Sequence, residues 1–132
     1  MLPVYFENAM GRILEHPNGY ALLRYDPGRR SLVDVQNYLL HTGRLLHRQG
    51  WHKILSDQRL LTPFTQEEQA LILDFWQARH FPLGPTVGAV LVSHNAFTRL
   101  SFDQIREQAR GSLRYQLFED EAKAAAWLTQ AP

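Results

Sequence analysis

The spacing of apolar and polar positions changes along the chain, and the changes divide it into elements. Near the start, residues 4–6, 12–15 and 20–25 are short runs rich in β-branched, aromatic or leucine side chains, separated by turn signals. The stretch from Asn8 ends in Gly11, Pro17-Asn18-Gly19 carries an Asn-Gly pair that tolerates positive φ, and Asp26-Pro27-Gly28 stops the third run. These signals predict a three-stranded β-meander.

From Ser31 the period shifts from two to about 3.6. Leu32, Val35, Leu39, Thr42, Gly43 and Leu46 fall on one stripe, with Asp34, Gln36, His41, Arg44 and Arg48 largely off it. Ser31 as cap, Asp34 in the first turn, and Arg48 with Gly50 at the end predict an amphipathic helix. Residues 51–56 then read as a buried strand. Thr65 and Glu68 announce a second helix through reciprocal capping, running to about Ala78. Its inward stripe is expected from Leu71, Phe75 and Ala78. Ile72, Leu73 and Trp76 widen the apolar face beyond what one packed side needs, which implies two-sided packing or a partner.

Pro82, Gly84 and Pro85 predict a loop, and residues 87–92 are apolar on both faces, the pattern of a strand covered from both sides. A third helix is expected to be capped at Ser101, stapled by Leu100 and Ile105, and ended by Gly111. Residues 114–118 form a last strand, and Glu119, Asp120 and Glu121 open a final helix that turns Ala124, Trp127 and Leu128 inward. The predicted order, β-β-β-α-β-α-β-α-β-α, is an α/β fold. Its sheet is mixed and mostly parallel, with an N-terminal β-meander, right-handed crossovers and about four helices in one domain over residues 1–132.

Composition narrows the chemistry. With no cysteine among 132 residues, disulfides, thiolate metal sites and a cysteine nucleophile are excluded. A formal net charge of +1 gives no long-range field to recruit nucleic acid, so no nucleic-acid partner is expected. Crossing a bilayer takes roughly 20 apolar residues, far more than any run here offers. Glu7, Arg12 and Glu15 interrupt the one stretch that could serve as a secretory signal, so the expected location is the cytoplasm, without membrane insertion.

Six histidines raise the question of a metal, but no His-x-x-x-His pair occurs, and His41 and His47 stand about 240° apart around a helix. Surface histidines, or hydrogen-bonded core histidines at His52 and His94, are the expected roles, and no metal or cofactor is expected. Gly-x-Ser-x-Gly and a glycine-rich phosphate loop are absent. Ser56, Asp57 and His94 make a triad on paper only, since such residues co-occur by chance in most chains.

The most informative stretch is residues 56–65, which leaves a buried strand and enters a helix N-terminus, where open α/β sheets gather ligands. Asp57, Gln58, Arg59, Thr62 and Thr65 are the candidate binding residues there, joined by Ile72 and Trp76 on the following helix. The plainer reading has Asp57 capping a turn, Arg59 pairing with a nearby carboxylate, and Thr62 with Pro63 shaping the approach. Trp51, Trp76 and Trp127, with Phe64, Phe75, Phe81 and Tyr38, either line a pocket for an apolar ligand or are simply core. A basic span from Arg24 to Arg59 reads equally as a solvated face and as a phosphate-binding patch.

Three segments resemble the small single-domain STAS-like proteins, often called SpoIIAA-like, which are related to the sulfate transporter and anti-sigma-factor antagonist module. They are Phe6-Glu7-Asn8-Ala9-Met10-Gly11-Arg12-Ile13-Leu14-Glu15-His16-Pro17, then Ser56-Asp57-Gln58-Arg59 with Pro63-Phe64-Thr65, and Phe118-Glu119-Asp120-Glu121-Ala122 through Ala126-Trp127-Leu128. The resemblance implies a βα superhelix shared with lipid carriers of the CRAL-TRIO type, used to bind partner proteins or apolar ligands. In the antagonist proteins a phosphorylatable serine follows an aspartate at the strand-to-helix loop. Here Gln58 follows Asp57, so the phosphoacceptor is missing. The expectation is a non-enzymatic interaction or regulatory module with a protein partner or self-association as a homodimer. The alternative is a small-molecule or lipid-binding domain with a pocket between sheet and helices near Trp51, Phe64 and Trp76.

Overall fold

A computed structural model describes residues 2–78, 86–108 and 113–132. Pro82, Gly84, Pro85, Phe81 and Gly111 lie outside the described residues. Among the described residues the elements are β1 (Val4–Asn8), β2 (Gly11–His16), β3 (Tyr20–Tyr25), α1 (Leu32–Gln49), β4 (Lys53–Asp57), α2 (Gln66–Ala78), β5 (Thr86–Leu91), α3 (Ala96–Gln108), β6 (Leu113–Phe118) and α4 (Glu121–Gln130). The six strands form one sheet in the order β1-β2-β3-β4-β5-β6. Strands β1 to β3 pair antiparallel, as the turn signals predict, and β3 to β6 pair parallel.

The meander is tight at its first turn. Asn8 Oδ1 accepts the Met10 N–H at 2.9 Å, and Gly11 takes φ 149° because a Cβ there would stand 2.1 Å from the Arg24 carbonyl oxygen across the hairpin. Helix α1 opens on a reciprocal capping box between Ser31 and Asp34 and closes on Gly50 in the left-handed conformation. Its buried stripe includes Tyr38 and Leu45, whereas Leu32 is exposed, contrary to expectation. Trp51 N–H caps the helix by donating to the Leu46 carbonyl, so β4 begins at Lys53, two residues later than the pattern predicts.

Period-two alternation sends the strands' side chains to two different cores. On one face Ile13, Ala21, Leu23 and Ile54 pack under α1, Ile72 and Trp76 of α2, and Ile105 of α3. On the other, Leu14, Tyr20, Leu22, Leu55, Val87, Ala89 and Leu91 pack against Ala124 and Leu128 of α4. Burying a single Leu or Ile side chain contributes about 1.5–3 kcal/mol, so these two clusters dominate stability. Trp127 is only half-buried, against Phe118.

Two helix expectations are corrected. In α2 the inward line is Glu68, Ile72 and Trp76, four residues apart, while Leu71, Leu73 and Phe75 are half-buried and Ala78 is exposed. The helix lies between α1 and α3, so two stripes are covered and apolarity alone does not rank them. In α3 the cap is Asn95, whose Oδ1 accepts the Phe97 and Thr98 N–H groups, six residues before the expected cap at Ser101. Ser101 lies inside the helix and donates to the Thr98 carbonyl, and Leu100 is exposed rather than stapled.

Candidate functional site

The carboxyl ends of β3 to β6 and the loops leaving them form one rim. Alternation at the end of β4 divides it: Ser56 and Gln58 face the α1–α3 side, and Asp57 faces the α4 side. Parallel register sets Arg24 of β3 beside Asp57 of β4. Arg24 Nη1 donates to Asp57 Oδ2 at 2.7 Å and to Glu121 Oε1 at 3.0 Å, and Arg59 forks onto both Asp57 oxygens at 2.9 and 2.8 Å while also reaching Glu121. Burial opposes the Asp57 charge, but the hydrogen bonds and charge of Arg59 and Arg24 hold its carboxyl below the ordinary carboxylate range. The Arg24 hydrogen bonds do the same for Glu121.

Nearby, the loop 58–65 is fixed from several directions. Arg30 Nε and Nη2 clamp Glu68 at 2.7 and 2.9 Å, and Nη2 also donates to the Thr62 and Pro63 carbonyls. The Arg30 and Glu68 side chains are 4% and 6% exposed, so this is a buried, bidentate pair. Glu68 Oε1 accepts the Thr65 N–H while Thr65 Oγ1 accepts the Glu68 N–H, as the capping motif predicts. Gly28 N–H donates to Thr62 Oγ1, Thr98 Oγ1 to the Leu61 carbonyl, and Phe64 N–H to Ser101 Oγ.

Of the predicted site residues, Asp57, Gln58, Arg59, Thr62 and Thr65 do gather on this loop. Ile72 and Trp76 do not, because both sit in the core beneath α2, so they supply no exposed apolar surface. The plainer reading of Asp57 with Arg59 as an ion pair is what the structure shows. Arg24, Arg30, Glu68 and Glu121 complete the constellation unannounced by local sequence. Arg24 could have been found from strand register, since it stands opposite Asp57.

Ser56 is buried and hydrogen-bonds the Tyr25 phenol, whose burial pushes its pKa up to about 12. His94, expected in the core, is exposed. His52 is half-buried with Nε2 3.0 Å from the Pro132 carbonyl. Among the described residues no group of three or more metal-ligating side chains occurs, and no helix is long and apolar enough to cross a membrane.

The chain matches no family model and no curated protein.

Between the sheet and α1–α3 lies a cavity of about 40 Å³, lined by Phe64, Ile72, Trp76, Tyr25, Ser56 and Gln58 among others. Such a volume holds water molecules, whereas drug-sized ligands occupy roughly 300 Å³ or more. Trp51 is not in its lining and packs beside Gly19 instead. Outside it, Leu60, Phe97 and Leu100 are 64%, 75% and 57% exposed on the rim. Leu60 and Phe97 each precede one partner of the Thr98–Leu61 hydrogen bond, which draws the loop and α3 together.

Proposed function

We propose that the chain is a non-enzymatic cytoplasmic interaction module of STAS-like type, acting through its carboxyl rim and associating with a second copy of itself. The observation that carries the reading is the exposure of Leu60 and Phe97 on a loop and helix start held by the Arg30–Glu68 pair and the Thr98–Leu61 bond. Apolar side chains presented by a preorganised surface lose little conformational entropy on docking. Charges of both signs accompany them, Arg59 next to Leu60 on the loop and Arg99 and Asp103 on the same helix as Phe97, so the surface can complement its own copy across a two-fold axis.

Gln58 stands where the antagonist proteins carry the phosphoacceptor, and its side chain is turned inward, so the reading involves no phosphate switch there. The test is a dilution series of amide proton–nitrogen spectra. Concentration-dependent shifts confined to residues 58–65 and 94–101 are expected. Spectra that do not change with concentration, or shifts centred on α4 and the β1 edge, would contradict it.

A further inference from the structure

The rim holds a second feature, distinct from the apolar patch. A recess of about 300 Å³ opens at the carboxyl ends of β4, β5 and β6, lined by Gln58, Ser93, Arg99, Phe102, Asp103 and Leu117 among others. Its volume reaches the lower end of ligand-binding sites, and open α/β sheets bind ligands at this edge. Gln58 and Phe102 line both this recess and the inner 40 Å³ cavity, so they form the partition between the two.

Gln58 is 4% exposed, and among the described residues its side-chain amide makes no hydrogen bond, although its backbone N–H donates to the Leu91 carbonyl. The amide lines the recess, where a ligand offering both a donor and an acceptor finds a partner for each of its ends. On the opposite wall, Arg99 and Asp103 stand four residues apart on α3, near enough to be neighbours on the helix surface. Among the described residues neither is in an ion pair. One unpaired cation and one unpaired anion on the same wall are the complement of a molecule carrying both charges.

We infer that this recess binds a free α-amino acid with an apolar side chain, or a zwitterion of like size. Its carboxylate accepts from Arg99 and from the Ser93 hydroxyl, whose oxygen already accepts the Asn95 N–H. Its ammonium donates to Asp103 and to the Gln58 carbonyl oxygen. The apolar side chain lies along Phe102 and Leu117, toward the inner cavity. The recess shares Arg99 and Asp103 with the proposed association surface but does not include Leu60 or Phe97, so failure of amino-acid binding and failure of self-association remain distinguishable.

The test uses the full chain and ligand-observed saturation-transfer NMR with leucine, isoleucine, valine and methionine as probes. Leucine is compared with 4-methylpentanoate, which lacks the ammonium, and with 3-methylbutylamine, which lacks the carboxylate. At least one of the four amino acids is expected to bind below about 20 mM, with each single-charge analogue about tenfold weaker or more. Arg99→Gln and Asp103→Asn, both at exposed positions, should each weaken amino-acid binding about tenfold while leaving the amide spectrum folded. Gln58→Leu should do the same, with a folded spectrum as its control. Absence of binding by all four amino acids, equal binding of 4-methylpentanoate and leucine, or unchanged binding in Arg99→Gln overturns the inference.

Discussion

Arg30 Nε lies 2.7 Å from Glu68 Oε2 inside the protein, joining the loop before α1 to the first turn of α2, 38 residues away. With both side chains almost fully enclosed, removing one partner strands the other without water. Arg30→Met or Glu68→Leu alone should therefore destabilise the fold by about 3–5 kcal/mol, and the double replacement should cost much less than the two singles together. Urea denaturation of the three variants checks this. Additive losses would mean that the pair is not the coupled unit described.

Gly11 is the tightest point of the meander. An alanine there places its Cβ against the Arg24 carbonyl, and the backbone must also hold a positive φ. Gly11→Ala should lower stability by more than about 2 kcal/mol, whereas Gly28→Ala, with positive φ but open space around it, should cost only about 1 kcal/mol. Thermal unfolding of both variants reads the difference, and equal losses would place the strain elsewhere.

The Asp57 and Glu121 carboxyls titrate lower in the fold than in the unfolded chain. A depressed folded pKa contributes stability that is fully present above the unfolded value, near pH 4, and is lost as pH falls through the folded value. Stability should thus decline below about pH 4, and Arg24→Met, by removing the main cause of the lowered Glu121 titration while Arg59 still holds Asp57, should partly flatten that decline while lowering stability at neutral pH. Chemical denaturation between about pH 3 and 7 measures the slope. An unchanged acid slope in Arg24→Met would contradict the role given to Arg24.

Much of the fold was legible because local signals and tertiary packing agree. Ser31 with Asp34, Thr65 with Glu68, and Gly50 mark helix ends through bonds made within a few residues, and the structure contains those bonds. The inward line of α2 was not legible, since it begins with Glu68, a charge tolerated inside only because Arg30 meets it from another loop. Asn95 is not legible as the α3 cap because Ser101 offers the same chemistry, and only a long-range contact, the hydrogen bond from the Phe64 N–H to Ser101 Oγ, ties Ser101 to the fold's interior. At the rim, Asp57 and Arg59 are paired within three residues and were readable. Arg24 and Glu121 join them through strand register and the return of α4, which no local window contains.

The most direct measurement is sedimentation equilibrium of the wild-type chain beside the Leu60→Ser, Phe97→Ser double variant, both side chains being exposed and outside the core. The wild type should show reversible monomer–dimer association, and the variant should remain monomeric with unchanged unfolding. A wild type that stays monomeric across the concentration range, or a variant that associates as tightly as the wild type, would contradict the assignment of the carboxyl rim as the interaction surface.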